Sequence, residues 1–134
     1  MFRFAALSLI ALGLASCGQQ EPSIEGKWAW FNETNCEADR DTIEFSGISF
    51  VHRREGNIYV RGNDLAFQRT TEDGVARVTA IYRVDIENTN EGRIITLTFE
   101  PAGNRVLVFR GSTINGEAPE AAGRAMGRVL FRCE

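Results

Sequence analysis

The sequence predicts an all-β domain of about eight short antiparallel strands, and two observations support this prediction. Small groups of Gly, Asn and Asp, such as Glu55-Gly56-Asn57 and Glu72-Asp73-Gly74, separate runs rich in β-branched and aromatic residues. This punctuation is typical of successive hairpins. Apolar and polar residues also alternate with a period of two, as in a strand that buries one face. The longest run, Val75–Ile86, places these residues on one face: Ala76, Val78, Ala80, Tyr82, Val84 and Ile86.

Taken in order, the runs between turn signals give the predicted strands. The first contains Trp28 and Trp30, and the Gly62-Asn63-Asp64 triplet is interpreted as a turn between two short strands near the middle. The predicted strands are Glu25–Phe31, Thr42–Phe45, Ile48–Arg54, Ile58–Arg61, Leu65–Thr70, Val75–Ile86, Arg93–Glu100, Arg105–Arg110 and Gly127–Cys133.

One segment departs from this pattern. Glu117–Met126 is rich in alanine and carries Pro119 early, which suits the first turn of a helix. Gly123 weakens the helix, so the segment is predicted to be either one short helix or a loop before the last strand. We expect no helix before residue 116.

The chain begins with an export signal, in which Arg3 precedes the apolar run Phe4–Leu14. The residues Leu14-Ala15-Ser16-Cys17 that end it resemble the lipobox of bacterial lipoproteins. The resemblance implies that residues 1–16 are removed and that Cys17 carries acyl chains such as palmitate. It also implies a tether over 17–23, a domain over 24–134, and a place in the bacterial cell envelope. We expect the outer membrane, facing the periplasm, because Gly18 follows Cys17 and not the aspartate that retains enterobacterial lipoproteins in the inner membrane. The alternative is an ordinary secretory signal.

With Cys17 acylated, Cys36 and Cys133 are the two cysteines left in the mature chain. Exported proteins retain disulfides, so we expect these two to be bonded; free thiols or an intermolecular link are the alternatives. A bond between the end of the first strand and the end of the last requires these strands to lie close together. We therefore predict a small up-and-down antiparallel β-barrel, in preference to an open sandwich.

The Gly26-Lys27-Trp28 triplet resembles the Gly-x-Trp motif of lipocalins and other calycins. That resemblance implies that Trp28 closes the base of a barrel and that an arginine of the last strand, Arg128 or Arg132, packs across it. Trp28 on the first strand and Cys36 soon after it carry a second resemblance, to the Inh-type inhibitors of secreted metalloproteases. Those are small exported barrels in which an N-terminal segment enters the protease cleft. Here Gly18–Ile24 would be that segment.

Charge and composition argue against several classes of function. The net charge is −3, so a nucleic-acid partner is not expected. His52 is the single histidine, so no histidine cluster can bind a metal, and we predict a surface or half-buried strand residue with no catalytic role and no cofactor. Six arginines of the middle strands form either a basic stripe or a set of ion pairs with nearby acids: Arg53, Arg54, Arg61, Arg69, Arg77 and Arg83.

The resulting functional hypothesis is a membrane-anchored lipoprotein that binds an unknown envelope or secreted protein without catalysis, for instance as an inhibitor of a hydrolase. The alternative is a calycin-like carrier of a small apolar ligand. Bulky inward residues argue for a filled interior, against a carrier. Phe31 lies on the face opposite to Trp28 and Trp30, so we expect it to point toward solvent or a partner.

Overall fold

The computed structural model describes residues 23–86 and 91–134, which form a closed barrel of eight antiparallel strands. Each strand pairs with the next, and the eighth pairs with the first, which confirms the predicted all-β barrel. The strands are β1 (Gly26–Trp30), β2 (Asp41–Ser46), β3 (Ser49–Arg54), β4 (Asn57–Glu72), β5 (Val75–Ile86), β6 (Ile94–Pro101), β7 (Val106–Ile114) and β8 (Val129–Arg132).

Two short helical pieces accompany the barrel. The helix α1 (Glu120–Ala125) lies within the segment predicted to be a helix or a loop. The 3-10 segment Glu33–Asp39 was not predicted, because none of its residues is buried and it carries no apolar stripe. Asn32 caps it by accepting a hydrogen bond from the Thr34 N–H at 3.0 Å.

The disulfide and the β1–β8 pairing close the barrel together. The sulfur atoms of Cys36 and Cys133 lie 2.06 Å apart, with 5.7 Å between their Cα atoms. The Cys133 N–H donates to the carbonyl of Lys27 at 2.8 Å, so the end of the chain lies beside β1. The bond thus joins the 3-10 segment to the seam between the first and last strands.

One strand prediction was wrong. Gly62-Asn63-Asp64 does not turn the chain; β4 runs through it as one strand of 16 residues. The pairing of β4 with β5 shifts register there, and Asp64 has a φ of 57°, as in a β-bulge. Gly62 faces the ring of Tyr82 so closely that any Cβ would overlap it. The glycine therefore marks a close approach inside the sheet rather than a turn.

The inward faces of the strands fill the barrel. On β5 the buried side chains are Val78, Ala80, Tyr82 and Val84, as the alternation predicts. Aromatic side chains occupy the centre: Phe45 contacts Phe50, Phe67 and Phe99, with ring centroids 5.5 to 6.0 Å apart. Phe50 stacks on Tyr82 at 4.2 Å. Packing of this kind leaves the middle of the barrel occupied by the protein's own side chains.

The strand directions define two ends. We call the end where β1 begins the N-terminal end; it carries Ser23 and the turn at Gly47 and Ile48. We call the end where β1 finishes the distal end; it carries Phe31, the turn at Glu55 and Gly56, and α1. In the part of the chain that the structure describes, no helix is long and apolar enough to cross a membrane. Cys17 and the predicted export signal lie outside the described residues.

Candidate functional site

The N-terminal end is closed by Trp28 and Arg132. Trp28 is 1% exposed, and its indole Nε1–H donates to the carbonyl of Ile24 at 2.8 Å. The guanidinium carbon of Arg132 lies 4.2 Å from the centre of the Trp28 rings, so Arg132, not Arg128, makes the expected contact. Gly26 has a φ of 116°, and a Cβ there would lie 3.0 Å from Arg132 Nη1, so the motif glycine makes room for the arginine.

Every side-chain nitrogen of Arg132 has an acceptor. Nε donates to the carbonyl of Asn104, Nη1 to that of Glu25 and Nη2 to that of Ser23, at 2.7 to 2.8 Å. Desolvation and, after it, the nearby charge of Arg105 hold the pKa of Arg132 below its ordinary value. The Arg132 guanidinium is thus bound by the Trp28 ring and by three backbone carbonyls of the same chain. We call this closed end the plug and assign it a structural role.

The distal end carries an open cleft instead. Its volume is about 140 Å³, and it combines aromatic walls with three titratable side chains. The described residues that line it are Trp30, Phe31, Asp41, His52, Arg54 and Ala125. Trp30 forms its floor, since this ring packs edge-on against buried Phe109 with centroids 5.5 Å apart. We refer to this cleft and its rim residues Tyr59 and Arg128 as the distal mouth.

Asp41 and His52 are hydrogen-bonded to each other in the distal mouth. His52 Nε2 lies 2.8 Å from Asp41 Oδ1, and the side chains are 14% and 22% exposed. The register of β2 and β3 brings them together, since Asp41 is opposite Arg54 and Ile43 is opposite His52. Within the described residues, the His52 side chain has this one hydrogen bond, so no hydroxyl or thiol completes a nucleophilic triad.

Sequence reasoning placed His52 in a strand but missed its partner. The signal was available in the alternation: Ile43 and Phe45 are inward on β2, so Asp41 continues that face. Phe50 is inward on β3, so His52 continues it likewise. Asp41 and His52 are therefore expected on the inward faces of neighbouring strands, at the distal end of the apolar core.

Phe31 forms the exposed wall of the distal mouth. Its side chain is 51% exposed, as the strand alternation predicts. Its φ is 66°, and the Asn32 N–H donates to the Trp30 carbonyl at 2.7 Å across it, so Phe31 is the central residue of a tight γ-turn. The guanidinium carbon of Arg128 lies 5.9 Å from its ring centre.

Arg54 stacks on Tyr59 at the opposite rim. The distance from the guanidinium carbon to the ring centre is 4.4 Å, and Tyr59 is 47% exposed. The Tyr59 ring also makes a T-shaped contact with the His52 ring, with 5.4 Å between centroids. Neither Arg54 nor Arg128 forms a salt bridge with an acid of residues 23–86 or 91–134. Each of the two guanidinium groups lies over an aromatic ring instead.

The remaining middle-strand arginines do not form one basic stripe. Arg53 binds Glu44 at 2.9 Å and Arg77 binds Glu72 at 3.0 Å. Arg83 approaches Asp64 to 4.0 Å. These are the cross-strand ion pairs that the sequence left as the second possibility.

A second cleft lies beside the distal mouth. Its volume is about 400 Å³, and no aromatic side chain is among the described residues that line it, which are Arg93, Ile114, Asn115, Glu117, Ala118 and Pro119. The described residues include no group of three His, Cys, Asp or Glu side chains placed to hold a metal. Comparisons of the chain with protein-family models, curated proteins and solved structures gave no match.

Proposed function

We propose that this protein is a lipid-anchored bacterial envelope lipoprotein that acts without catalysis, by binding a protein partner at the distal mouth. The observation that supports this proposal most is Phe31. An L-residue with a bulky side chain and a positive φ costs on the order of 1–3 kcal/mol, and glycine would remove that cost. Phe31 is 51% exposed although its ring contacts the Trp30 ring, with 5.6 Å between centroids, so much of its surface is left for another molecule. A phenylalanine at a position where glycine would be more stable suits a contact between its ring and another molecule.

The surroundings of Phe31 favour a protein over a small molecule. Exposed Tyr59, Ile58 and Met126 belong to the same end, and aromatic residues and methionine are the types enriched at protein interfaces. The cleft itself, at about 140 Å³, is smaller than the roughly 300–1,000 Å³ typical of small-molecule sites. The filled barrel interior also favours the binding module over the apolar carrier.

The position of the first described residues supports the same choice. Ile24 is 2% exposed, and the carbonyls of Ser23 and Glu25 accept hydrogen bonds from Arg132. These residues belong to the plug, which disfavours a partner contact made by the N-terminal segment as in the Inh-type inhibitors. An acylated Cys17 would be six residues before Ser23, about 20 Å at full extension. The distal mouth would then face away from the membrane.

The anchor is tested at Cys17. We expect Cys17→Ala to accumulate as an uncleaved precursor without acyl chains, whereas the wild-type protein gains the mass of its lipid. Each buried methylene contributes about 0.8 kcal/mol, so several chains hold a protein firmly. A wild-type mature protein found free in the periplasm, with no lipid mass, would exclude the anchor.

The partner site is tested by capture from envelope extract with matched variants. Phe31→Ala removes the exposed ring at the distal mouth. Ile48→Ala removes an apolar side chain from the turn at the N-terminal end, where Ile48 is 69% exposed and thus more exposed than Phe31. We expect Phe31→Ala to lose a protein that both wild type and Ile48→Ala retain, with all three showing the same circular dichroism. Equal capture by all three would contradict the proposed site.

A further inference from the structure

We infer that the distal mouth receives an acidic side chain of the partner protein, bound by Arg54 and assisted by Arg128. This inference rests on the proposed function. It starts from a difference among the arginines of the barrel: Arg53, Arg77 and Arg110 each bind a carboxylate within 3.0 Å. Arg54 and Arg128 bind none among the described residues and lie instead on aromatic rings.

Stacking leaves a guanidinium ready for a carboxylate. A ring face covers one side of the guanidinium plane, while the N–H groups lie in that plane and stay available at its edge. Two of them match the two oxygens of a carboxylate. Because Tyr59 restrains Arg54, less side-chain freedom is lost when the acid binds.

The charges that line the cleft indicate where the acidic side chain of the partner would bind. Asp41 is its one carboxylate among the lining residues, and Oδ1 is engaged by His52 at 2.8 Å. An incoming acid is repelled by Asp41 and attracted by Arg54, so it lies on the Tyr59 side. Trp30 and Phe31 supply apolar walls that exclude water and strengthen the ion pair.

An acidic protein is favoured over an anionic membrane as the occupant. The distal mouth is at the opposite end of the barrel from Ser23, where the chain to the anchor begins. A tether of about 20 Å brings the N-terminal end, not the distal end, to the lipid surface. Basic residues that bind lipid act within about one Debye length of that surface.

The test uses the full lipidated protein in uncharged detergent and two blocked peptides, acetyl-Gly-Phe-Glu-Phe-Gly-amide and its twin with Gln for Glu. Binding is followed by tryptophan fluorescence, because Trp30 lines the cleft and Trp28 lies in the plug at the other end. We expect the Glu peptide to bind about tenfold more tightly than the Gln peptide, since a charge-assisted pair contributes at least that factor.

Variants assign the preference to its residues. Arg54→Gln should bring the ratio close to one, and Arg128→Gln should reduce it. Asp41→Asn should raise it, because the repelling charge is gone. Arg105→Gln is the matched control: Arg105 is 55% exposed at the N-terminal end, where it binds Glu134, so the ratio should not change.

The inference would be overturned by equal or undetectable binding of both peptides to the wild type, or by a preference that survives Arg54→Gln. Binding to vesicles of phosphatidylglycerol that Arg54→Gln abolishes, without a Glu preference, would assign the site to lipid and also overturn it. The inference and the proposed function can fail separately. If partner capture depends on Phe31 but no Glu preference is found, the partner site is supported and the acid-binding inference fails. If a Glu preference is found but capture does not depend on Phe31, the proposed partner site fails.

Discussion

The two ends of the barrel use the same pair of groups in opposite ways. At the N-terminal end, Arg132 lies 4.2 Å from a tryptophan ring that is almost fully buried, and three backbone carbonyls satisfy its nitrogens. At the distal end, Arg54 lies 4.4 Å from a tyrosine ring that is half exposed, and no acid of the described chain binds it. An arginine whose side-chain nitrogens each have an acceptor within the fold helps to hold that fold together. An arginine without such acceptors is available to another molecule.

The largest effect expected from this comparison is at the plug. Truncation of a buried tryptophan costs about 3–5 kcal/mol, so Trp28→Ala should leave much of the population unfolded. Tyr59→Ala, which removes the ring of the distal pair, should lower the free energy of unfolding by no more than about 1 kcal/mol. Urea unfolding of both variants measures the difference. Similar losses at the two ends would mean that the distal pair is structural as well.

The disulfide should follow Trp28 in size. It joins residues 97 positions apart, and loss of such a bond in a small exported domain typically costs 2–5 kcal/mol. The double variant Cys36→Ser with Cys133→Ser, compared with the wild type under oxidising conditions, should show that loss in urea. Reduction of the wild type should reproduce it and leave the double variant unchanged. A wild type that is insensitive to reduction would show that the bond does not stabilise the closed barrel.

The two ends can also be compared by the same substitution, Arg to Gln, made at Arg132 and at Arg54. Arg132→Gln removes hydrogen bonds from a charged donor to three carbonyls, and we expect a loss of about 2 kcal/mol. Arg54→Gln removes one exposed cation–π contact and should cost below about 1 kcal/mol. Differential scanning calorimetry on the two variants ranks them. A loss at Arg54 as large as that at Arg132 would contradict the division between plug and mouth.

A smaller effect concerns the pair between Lys27 and Asp39, whose atoms Nζ and Oδ1 lie 2.9 Å apart on the outer face of the barrel. The hydrogen bond from Lys27 is the largest cause that holds the pKa of Asp39 below its ordinary value, with burial opposing it. A lowered pKa stabilises the fold where the unfolded carboxyl is also ionised, above about pH 4, and this stabilisation is lost as the pH falls through the folded value.

Asp39→Asn should therefore destabilise the protein at pH 7 by less than about 1 kcal/mol, as for other pairs near a surface. The gap to the wild type should narrow as the pH falls below about 4. Melting temperatures of both proteins across that range measure it. A gap that is the same at pH 7 and at pH 3 would mean that the Asp39 charge contributes nothing.

Much of the fold follows from local patterns in the sequence, and the exceptions have identifiable causes. Alternation places Tyr82 and Val84 inside because a strand with one buried face has no other arrangement. Gly62-Asn63-Asp64 has the composition of a turn, and only the approach of Tyr82 to Gly62 shows that it is a bulge. The 3-10 segment is held by its local Asn32 cap and by two tertiary contacts, the Lys27–Asp39 pair and the Cys36 disulfide, none of which has a periodic signal.

The candidate site divides in the same way. The exposure of Phe31 was predicted, but β1 ends at Trp30 and the γ-turn at Phe31 sets the direction of its ring. Burial of Trp28 is implied by its place in the motif. The inward direction of Asp41 and of His52 follows from alternation, but their contact with each other depends on the register between β2 and β3. The stacking of Arg54 on Tyr59 depends in turn on the register shift between β3 and β4.

Partner capture by Phe31→Gly, with its melting temperature, tests the central claim most directly. Glycine relieves the positive φ at this position, by an amount on the order of 1 kcal/mol, while it removes the exposed ring. We therefore expect Phe31→Gly to melt at or above the temperature of Phe31→Ala and to lose the partner that Ile48→Ala retains. A Phe31→Gly variant that captures the partner as well as the wild type would show that the ring is not kept for binding, and would contradict the account.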